Sequence, residues 1–150
     1  MFTPKKILVP TDFSVYADNA LKQAIDLAKQ YNAKIYLFHV IDDGFQQCTV
    51  DYCLNEGDVQ RILKESVKNA QDKLQQEAKN ITDNHSSVEI VYDTIRGIPY
   101  EEIIKEQEEK GIDLIVIASH GKTGILKNLL GGVADKVLKR AKCPVLLVRS

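Results

Sequence analysis

The chain has 150 residues, of which 44% are hydrophobic and 27% charged, and a formal net charge of −1, a composition that suits one soluble domain over residues 1–150. The near-neutral charge argues against a nucleic-acid partner, and no apolar run approaches the roughly 20 residues that span a bilayer. Because no signal-peptide pattern precedes the first apolar run, we expect a cytoplasmic protein without membrane or nucleic-acid partners.

The first half of the sequence predicts two strands and two helices. Residues 6–10 form a short continuous apolar run, which is typical of a strand buried on both faces. Ser14 is a suitable N-cap for the helix that follows, whose apolar residues are spaced by three and four. Residues 34–41 predict a second buried strand, and after a polar loop at 42–57 we expect Asp58 to cap a long amphipathic helix.

The second half continues the alternation of strands and helices. Residues 87–93 are less apolar than the other strand candidates and predict an edge strand. Pro99 suits the first turn of the next helix, and Gly111 suits its end. A fourth buried strand is predicted at 113–118, and the last strand is predicted at 144–148. The helix between them is expected to have one apolar side, formed by Val133, Val137, Leu138 and Ala141.

The predicted order is βαβαβαβαβ, and strands separated by helices run parallel because each connection must cross over. This order predicts an α/β fold in which an open, twisted, parallel five-stranded sheet carries helices on both faces. Ligands of such sheets bind beyond the carboxyl ends of the strands, where the strand order reverses. The residues that follow each strand are therefore the first candidates for a binding site.

The three cysteines give little support for a metal or redox function. Cys48 and Cys53 form a C-x4-C pair in the polar loop, which is half of a zinc ligand set and has no second pair nearby. Free thiols in a reducing compartment are the favoured interpretation. Cys143 precedes a proline at the start of the last strand, and we expect it to be a small buried residue.

Residues 118–134 are the strongest candidate for a binding segment. Its glycines would let the backbone approach a phosphate, and N–H groups at the start of a helix bind anions. The alternative is that the glycines only form turns and that the lysines of the last helix form a solvated face. Composition and spacing support these two interpretations about equally. Neither a P-loop nor a G-x-G-x-x-G dinucleotide motif is present.

Residues 118–134 and four other segments resemble the universal stress protein family, and the resemblance covers the whole chain. They are residues 7–14, the pair His39-Val40, residues 113–116 and residues 142–148. Nucleotide-binding members of that family carry G-x2-G-x9-G-(Ser/Thr) after the fourth strand. Gly121 and Gly131 match the second and third glycines, whereas Ala118 stands at the first glycine and Gly132 at the Ser/Thr position.

The resemblance implies a Rossmann-like fold, similar to the adenine nucleotide alpha hydrolases, and a stress-response or signalling protein that binds ATP, or else AMP or ADP. It implies that Pro10, Thr11 and Asp12 line the nucleoside side and that Val40 meets adenine. Asp12 is a candidate Mg²⁺ ligand, and it is equally suited to stabilise the start of the first helix. The implied nucleotide-binding loop consists of Ala118, Ser119, His120, Gly121, Lys122, Thr123, Gly124, Gly131, Gly132 and Val133.

The two departures from the motif predict weakened phosphate contact rather than its loss. Ala118 adds one methyl group, which is tolerated where φ is negative. Gly132 lacks a hydroxyl, and one hydrogen bond to a charged group contributes roughly 1.5–3 kcal/mol. Because no Ser–His–Asp set is evident, we expect slow ATP hydrolysis at most. The alternative function is a non-nucleotide interaction protein, and the resemblance implies a homodimer that pairs through residues 145–148.

Overall fold

The computed structural model describes residues 1–42, 55–121 and 130–149. The strands are β1 (Lys6–Pro10), β2 (Lys34–Asp42), β3 (Glu89–Gly97), β4 (Leu114–Ala118) and β5 (Val145–Val148). The helices are α1 (Val15–Tyr31), α2 (Glu56–Asn84), α3 (Pro99–Lys110) and α4 (Gly132–Arg140). None of these described helices is both long and apolar enough to cross a membrane.

The strands form a parallel sheet in the order β3-β2-β1-β4-β5, which confirms the predicted α/β fold. β3 lies at an edge, as its polar residues predicted. The chain passes from β1 to β2 and β3 on one side, and then continues as β4 and β5 on the other side of β1. The strand order therefore reverses between β1 and β4, and the carboxyl ends of these two strands flank a natural ligand position.

Successive residues of β1 point to opposite faces of the sheet, so the apolar run in this strand contributes to two cores. On one face, α1 and α2 pack on the sheet through a cluster that includes Ile7, Leu21 and Leu74. On the other face, α3 and α4 pack through a cluster that includes Leu8, Ile103 and Val137. Burying one such side chain contributes about 1.5–3 kcal/mol, so these clusters hold the helices on the sheet.

The ends of α1 and α3 follow local sequence signals. Ser14 caps α1 as predicted, because its Oγ accepts a hydrogen bond from the Ala17 N–H at 3.2 Å. Asn32 ends α1 with φ 52°, and Gly111 ends α3 with φ 62°. Glycine and asparagine are the residues that adopt this left-handed conformation most readily.

The start of α2 and the end of β3 differ from the prediction. Asn55 caps α2, not Asp58, since Asn55 Oδ1 accepts a hydrogen bond from the Asp58 N–H at 2.8 Å. Asp58 lies within the first helical turn, where its negative charge interacts favourably with the positive end of the helix dipole. β3 begins at Glu89 and continues to Gly97, because its last four residues pair with the end of β2.

The apolar side of α4 also differs from the prediction. Ala134 and Val137 are buried, whereas Val133 and Leu138 are each 39% exposed. Residues 134 and 137 are three apart and therefore share the helical face that packs on the core. Cys143 is only partly buried beside this core, and burial raises the pKa of its thiol.

Candidate functional site

A cleft of about 240 Å³ lies beyond the carboxyl ends of β1 and β4. The predicted site residues that line it are Pro10, Thr11, Asp12, Val40, Ala118, Ser119, His120, Gly121, Gly131, Gly132 and Val133. The lining residues that sequence reasoning missed are Ala17, Phe38, Pro99, Ile103, Ile117 and Ala134. The predicted residues outside the described part of the chain are Lys122, Thr123, Gly124, Cys48 and Cys53. That any of the predicted site residues contacts a ligand stays a prediction.

The turn between β1 and α1 forms one wall of the cleft. The Thr11 N–H donates to Phe38 O at 2.8 Å, and Thr11 Oγ1 accepts from the Phe13 N–H at 3.0 Å. Asp12 Oδ1 accepts from the Ser14 N–H at 3.0 Å, so this carboxylate stabilises the start of α1. Phe13 has φ 63°, a left-handed conformation that costs a non-glycine residue roughly 1–2 kcal/mol. Surrounding contacts therefore hold the turn in a strained conformation.

The opposite wall begins where β4 ends. The backbone of Ser119 is held on both sides, since its N–H donates to Val148 O at 2.9 Å and its carbonyl accepts from the Gly131 N–H at 2.7 Å. Ser119 Oγ lies 2.8 Å from His120 Nδ1. The His120 ring lies 6.0 Å from the ring of Tyr16. The hydroxyl thus orients the imidazole within the cleft, a pairing that was not predicted from the sequence.

Two glycines of the predicted motif are required by contacts within the protein. A Cβ atom at Gly121 would overlap Asp12 Oδ2. A Cβ atom at Gly131 would lie 3.0 Å from the backbone oxygen of Ser119, closer than ordinary van der Waals contact. Glycine at 121 lets the β1–α1 turn approach the residues after β4, and glycine at 131 lets the start of α4 approach Ser119. Close packing explains both glycines, so their spacing alone is no evidence of a ligand.

The first turn of α4 has no side-chain cap. Its N-cap is Gly131, and the Asp135 N–H is the first to bond back to the Gly131 carbonyl, at 2.9 Å. The N–H groups of Gly132, Val133 and Ala134 precede that bond and have no acceptor within the helix. All three residues line the cleft. The positive end of the helix dipole therefore opens on the cleft, where it attracts an anion.

The two positions that depart from the motif cause no steric conflict with the described residues. Among the described non-glycine residues, those with positive φ are Phe13 and Asn32, so Ala118 adopts an ordinary φ and its methyl group adds no backbone strain. Apart from its chain neighbours and the backbone of its own helix, no heavy atom of residues 1–42, 55–121 and 130–149 lies within 4 Å of a Cβ atom at Gly132, so the described residues leave this position open. A serine or threonine side chain would therefore fit at the start of α4, and Gly132 leaves that space open.

The cleft combines an apolar inner wall with polar groups at the strand ends. The inner wall contains Phe38, Val40, Ile103 and Ile117. Asp12 is the one carboxylate among the described lining residues. Across residues 1–42, 55–121 and 130–149, no group of three or more His, Cys, Asp and Glu side chains could hold a metal ion. The arrangement suits a planar apolar ring joined to an anion, and Mg²⁺ would need oxygen ligands from that anion.

Residues 3–149 match the model of the universal stress protein family. The chain belongs to this family. Universal stress protein MJ0531 of Methanocaldococcus jannaschii is 37% identical over 146 residues, which are 97% of this chain and 82% of the relative. Universal stress protein MJ0577 of the same organism is 36% identical over 97% of this chain and 94% of the relative.

Solved structures of other proteins share the fold of this universal stress protein. The structure of MJ0577 matches with a TM-score of 0.78 and 34% identity, over 99% of this chain and 98% of its own. A universal stress protein in complex with cAMP matches with a TM-score of 0.62 and 23% identity, over 99% and 98% of the two chains. The Archaeoglobus fulgidus protein in complex with dAMP matches with a TM-score of 0.66 and 19% identity, over 99% and 100%. The last two establish a shared fold alone.

Proposed function

We propose that this universal stress protein binds an adenine nucleotide, with ATP as the expected ligand, and acts as a stress-response or signalling module. The observation that carries the proposal is the uncapped N-terminus of α4, which opens on a cleft with an apolar inner wall. A nucleotide has two matching parts, since its base is planar and weakly polar and its phosphates are anionic.

The inner wall supports the adenine part of the proposal. Phe38 and Val40 are two residues apart on β2 and therefore project to the same face of the sheet. Phe38 is 3% exposed and Ile103 is 2% exposed, so they form a packed floor. A base lying on this floor would bury apolar surface, which contributes about 25 cal/mol per Å². We expect Val40, at the end of β2, to contact the adenine ring.

The start of α4 supports the phosphate part of the proposal. Three backbone N–H groups of its first turn border the cleft, and hydrogen bonds to charged groups are roughly twice as strong as neutral ones. On sequence grounds, Lys122 and Thr123 are further expected phosphate contacts. Mg²⁺ is commonly held by one or two carboxylates together with phosphate oxygens, and Asp12 would supply the carboxylate.

We expect binding rather than efficient turnover. In a serine triad the hydroxyl contacts Nε2 of the imidazole, and the carboxylate contacts Nδ1. In this cleft Ser119 Oγ lies 2.8 Å from Nδ1 of His120, which is the position of the carboxylate in a triad. Slow ATP hydrolysis is therefore the most that we propose for this cleft.

The shared fold adds support for the class of ligand. Two universal stress proteins with this fold are in complex with cAMP and with dAMP, so the fold is able to hold an adenine nucleotide. At 23% and 19% identity they do not specify the ligand of this chain. The choice of ATP rests on the resemblance of residues 118–133 to the family motif.

Ligand analysis tests the proposal directly. The purified protein is examined for a co-purified nucleotide by mass spectrometry, and ATP, AMP, adenosine and GTP are then titrated calorimetrically with and without Mg²⁺. We expect affinity to fall from ATP to AMP to adenosine, because α4 interacts with phosphate, and ATP to bind more tightly than GTP. Absence of binding at millimolar ATP would overturn the proposal, and equal affinity for GTP would overturn the adenine assignment.

A homodimer through β5 is the second candidate function, and the two sheet edges favour it. At the β3 edge, Asp93 Oδ1 accepts from the Thr94 N–H at 2.8 Å, and a Lys34–Glu89 ion pair of 2.7 Å lies nearby. β5 lies at the other edge, contains no charged residue and has Leu146 38% exposed. Charged side chains discourage edge pairing, so β5 is the edge suited to a second copy of the chain.

Sedimentation velocity tests this second candidate. We expect the wild type to be a dimer and the Leu146→Lys variant to be a monomer, because lysine places a charge in the paired edge. Val91→Lys on β3 is the matched control, since Val91 is 37% exposed at the opposite edge, and it should leave the dimer intact. A monomeric wild type, or a dimer that survives Leu146→Lys, would exclude pairing through β5.

A further inference from the structure

We propose that His39 is a positioning residue of the nucleotide cleft, which it shapes through the β1–α1 turn without lining the cleft itself. This inference rests on the proposed function and deepens it. His39 Nδ1 lies 2.7 Å from the backbone oxygen of Thr11. A carbonyl oxygen only accepts hydrogen bonds, so Nδ1 carries the proton and donates. The bond joins the end of β2 to the turn that presents Asp12 to the cleft.

His39 also packs on the strained residue of that turn. The centroids of the His39 and Phe13 rings are 4.5 Å apart, with 40° between the ring planes. Lys73 Nζ, from α2, lies 5.1 Å from the centroid of the Phe13 ring. A phenylalanine with φ 63° persists only where its surroundings hold it. His39 therefore acts on the turn twice, through the Thr11 carbonyl and through the Phe13 ring.

The position of this turn decides how closely the two walls of the cleft approach. Asp12 Oδ2 occupies the space in which a Cβ atom of Gly121 would lie. A small rotation of the turn would therefore separate Asp12 from the end of β4 or press the two together. Loss of the His39 hydrogen bond should weaken nucleotide binding, although His39 projects to the face of β2 opposite to Phe38 and Val40.

His39→Asn and His39→Gln are a matched pair of variants that test the inference. Both side chains are amides, but asparagine places its N–H near the position of Nδ1, whereas glutamine places it near Nε2. We expect ATP affinity within about threefold of wild type for His39→Asn and roughly tenfold weaker for His39→Gln, the effect of one hydrogen bond. Calorimetric titration measures both. Equal affinities in the two variants would overturn the inference.

Amide hydrogen exchange in the ligand-free protein separates this inference from the proposed function. The N–H groups of Phe13 and Ser14 bond to Thr11 Oγ1 and Asp12 Oδ1 within the turn. We expect both amides to exchange faster in His39→Gln and near the wild-type rate in His39→Asn. If the wild type binds no nucleotide but exchange follows this pattern, the proposed function fails and the role of His39 in holding the turn stands. Unchanged exchange in both variants would overturn that role.

Discussion

Two helices begin at the cleft, and their first turns are completed in opposite ways. Before α1, Asp12 accepts a hydrogen bond from the Ser14 N–H at 3.0 Å, and Ser14 accepts one from the Ala17 N–H at 3.2 Å. Before α4 stands Gly131, followed by Gly132 as the first helical residue, and neither offers a side-chain oxygen.

This difference separates a role in stability from a role in binding. The caps of α1 satisfy backbone donors within the chain, so their removal should lower the free energy of unfolding. The first turn of α4 leaves its donors to an anion from outside the chain, so changes there should alter ligand affinity. The same local feature, the start of a helix, therefore serves two purposes on facing walls of one cleft.

Gly131→Val should have the largest effect, because Gly131 allows α4 to approach the end of β4. A Cβ atom there would lie 3.0 Å from Ser119 O, and valine adds two further methyl groups. Overpacking costs about 1–3 kcal/mol, so we expect calorimetry to show ATP affinity lowered by up to roughly a hundredfold. Gly132→Ala is the matched control, since its Cβ would lie more than 4 Å from the surrounding described residues, and it should bind like the wild type. Equal affinities would contradict the proposed phosphate position.

Gly132→Ser should give the next largest effect, in the opposite direction. The part of the chain that the structure describes leaves space for its side chain, and a hydroxyl at the start of α4 would add a hydrogen bond to phosphate. We expect roughly tenfold tighter ATP binding, equivalent to about 1.5 kcal/mol, and no change for adenosine. Comparison with Gly132→Ala separates the effect of the hydroxyl group on affinity from the effect of the added Cβ atom. A serine variant that binds ATP no more tightly than the alanine variant would show that phosphate does not reach this turn.

Ser14→Ala should lower stability without lowering affinity. Loss of an N-cap costs about 1 kcal/mol, which corresponds to a melting temperature lower by about 2–4 °C in a domain of this size. Scanning calorimetry measures the melting temperature, and nucleotide titration measures the ATP affinity. A large loss of ATP affinity in this variant would break the division between the two helix starts, because it would make the cap of α1 part of the binding machinery.

Glu77→Gln should have the smallest effect, and it tests the electrostatics of the first turn of α1. Partial burial, together with the nearby Asp18 of that turn, raises the pKa of Glu77. The folded state therefore holds this proton more tightly than the unfolded chain does. The stabilising contribution of the protonated form is fully present below the ordinary glutamate pKa and is lost as pH rises through the raised value.

Near neutral pH the Gln variant should consequently be more stable than the wild type, by about 0.5 kcal/mol or less after solvent screening. This difference in stability between the variant and the wild type should vanish in acid. Urea unfolding across this pH range measures the difference in stability, with Glu65→Gln, at an exposed position of the same helix, as the control substitution. A constant difference at all pH values would exclude titration of Glu77 as its source.

Much of the fold was predictable because its signals are local. The central strands β1 and β4 are continuous apolar runs, and the more polar β3 lies at an edge. The cap at Ser14 and the glycine that ends α3 also follow from residue type. By contrast, Asn55 and Asp58 are both good caps, and local sequence does not choose between two candidates three residues apart.

The parts that sequence did not predict depend on contacts between distant segments. Phe38 and Ile103 have the pattern of core residues. They line the cleft only because β2 and β4 lie on either side of β1 and α3 packs on the same face of the sheet. The last residues of β3 are ordered by pairing with β2. The positive φ of Phe13 and its contact with His39 have no local signal, since the contact joins residues far apart in the chain.

Positions 12 and 121 should not evolve independently. Because Asp12 Oδ2 occupies the space that a Cβ atom at Gly121 would need, a larger residue at 121 is compatible only with a smaller residue, or a different turn, at 12. Among relatives, loss of the glycine should therefore coincide with loss of the aspartate. Lineages that exchange both would reshape the two walls of the cleft in a single step, and this pair of positions is where divergence to new ligands should first be found.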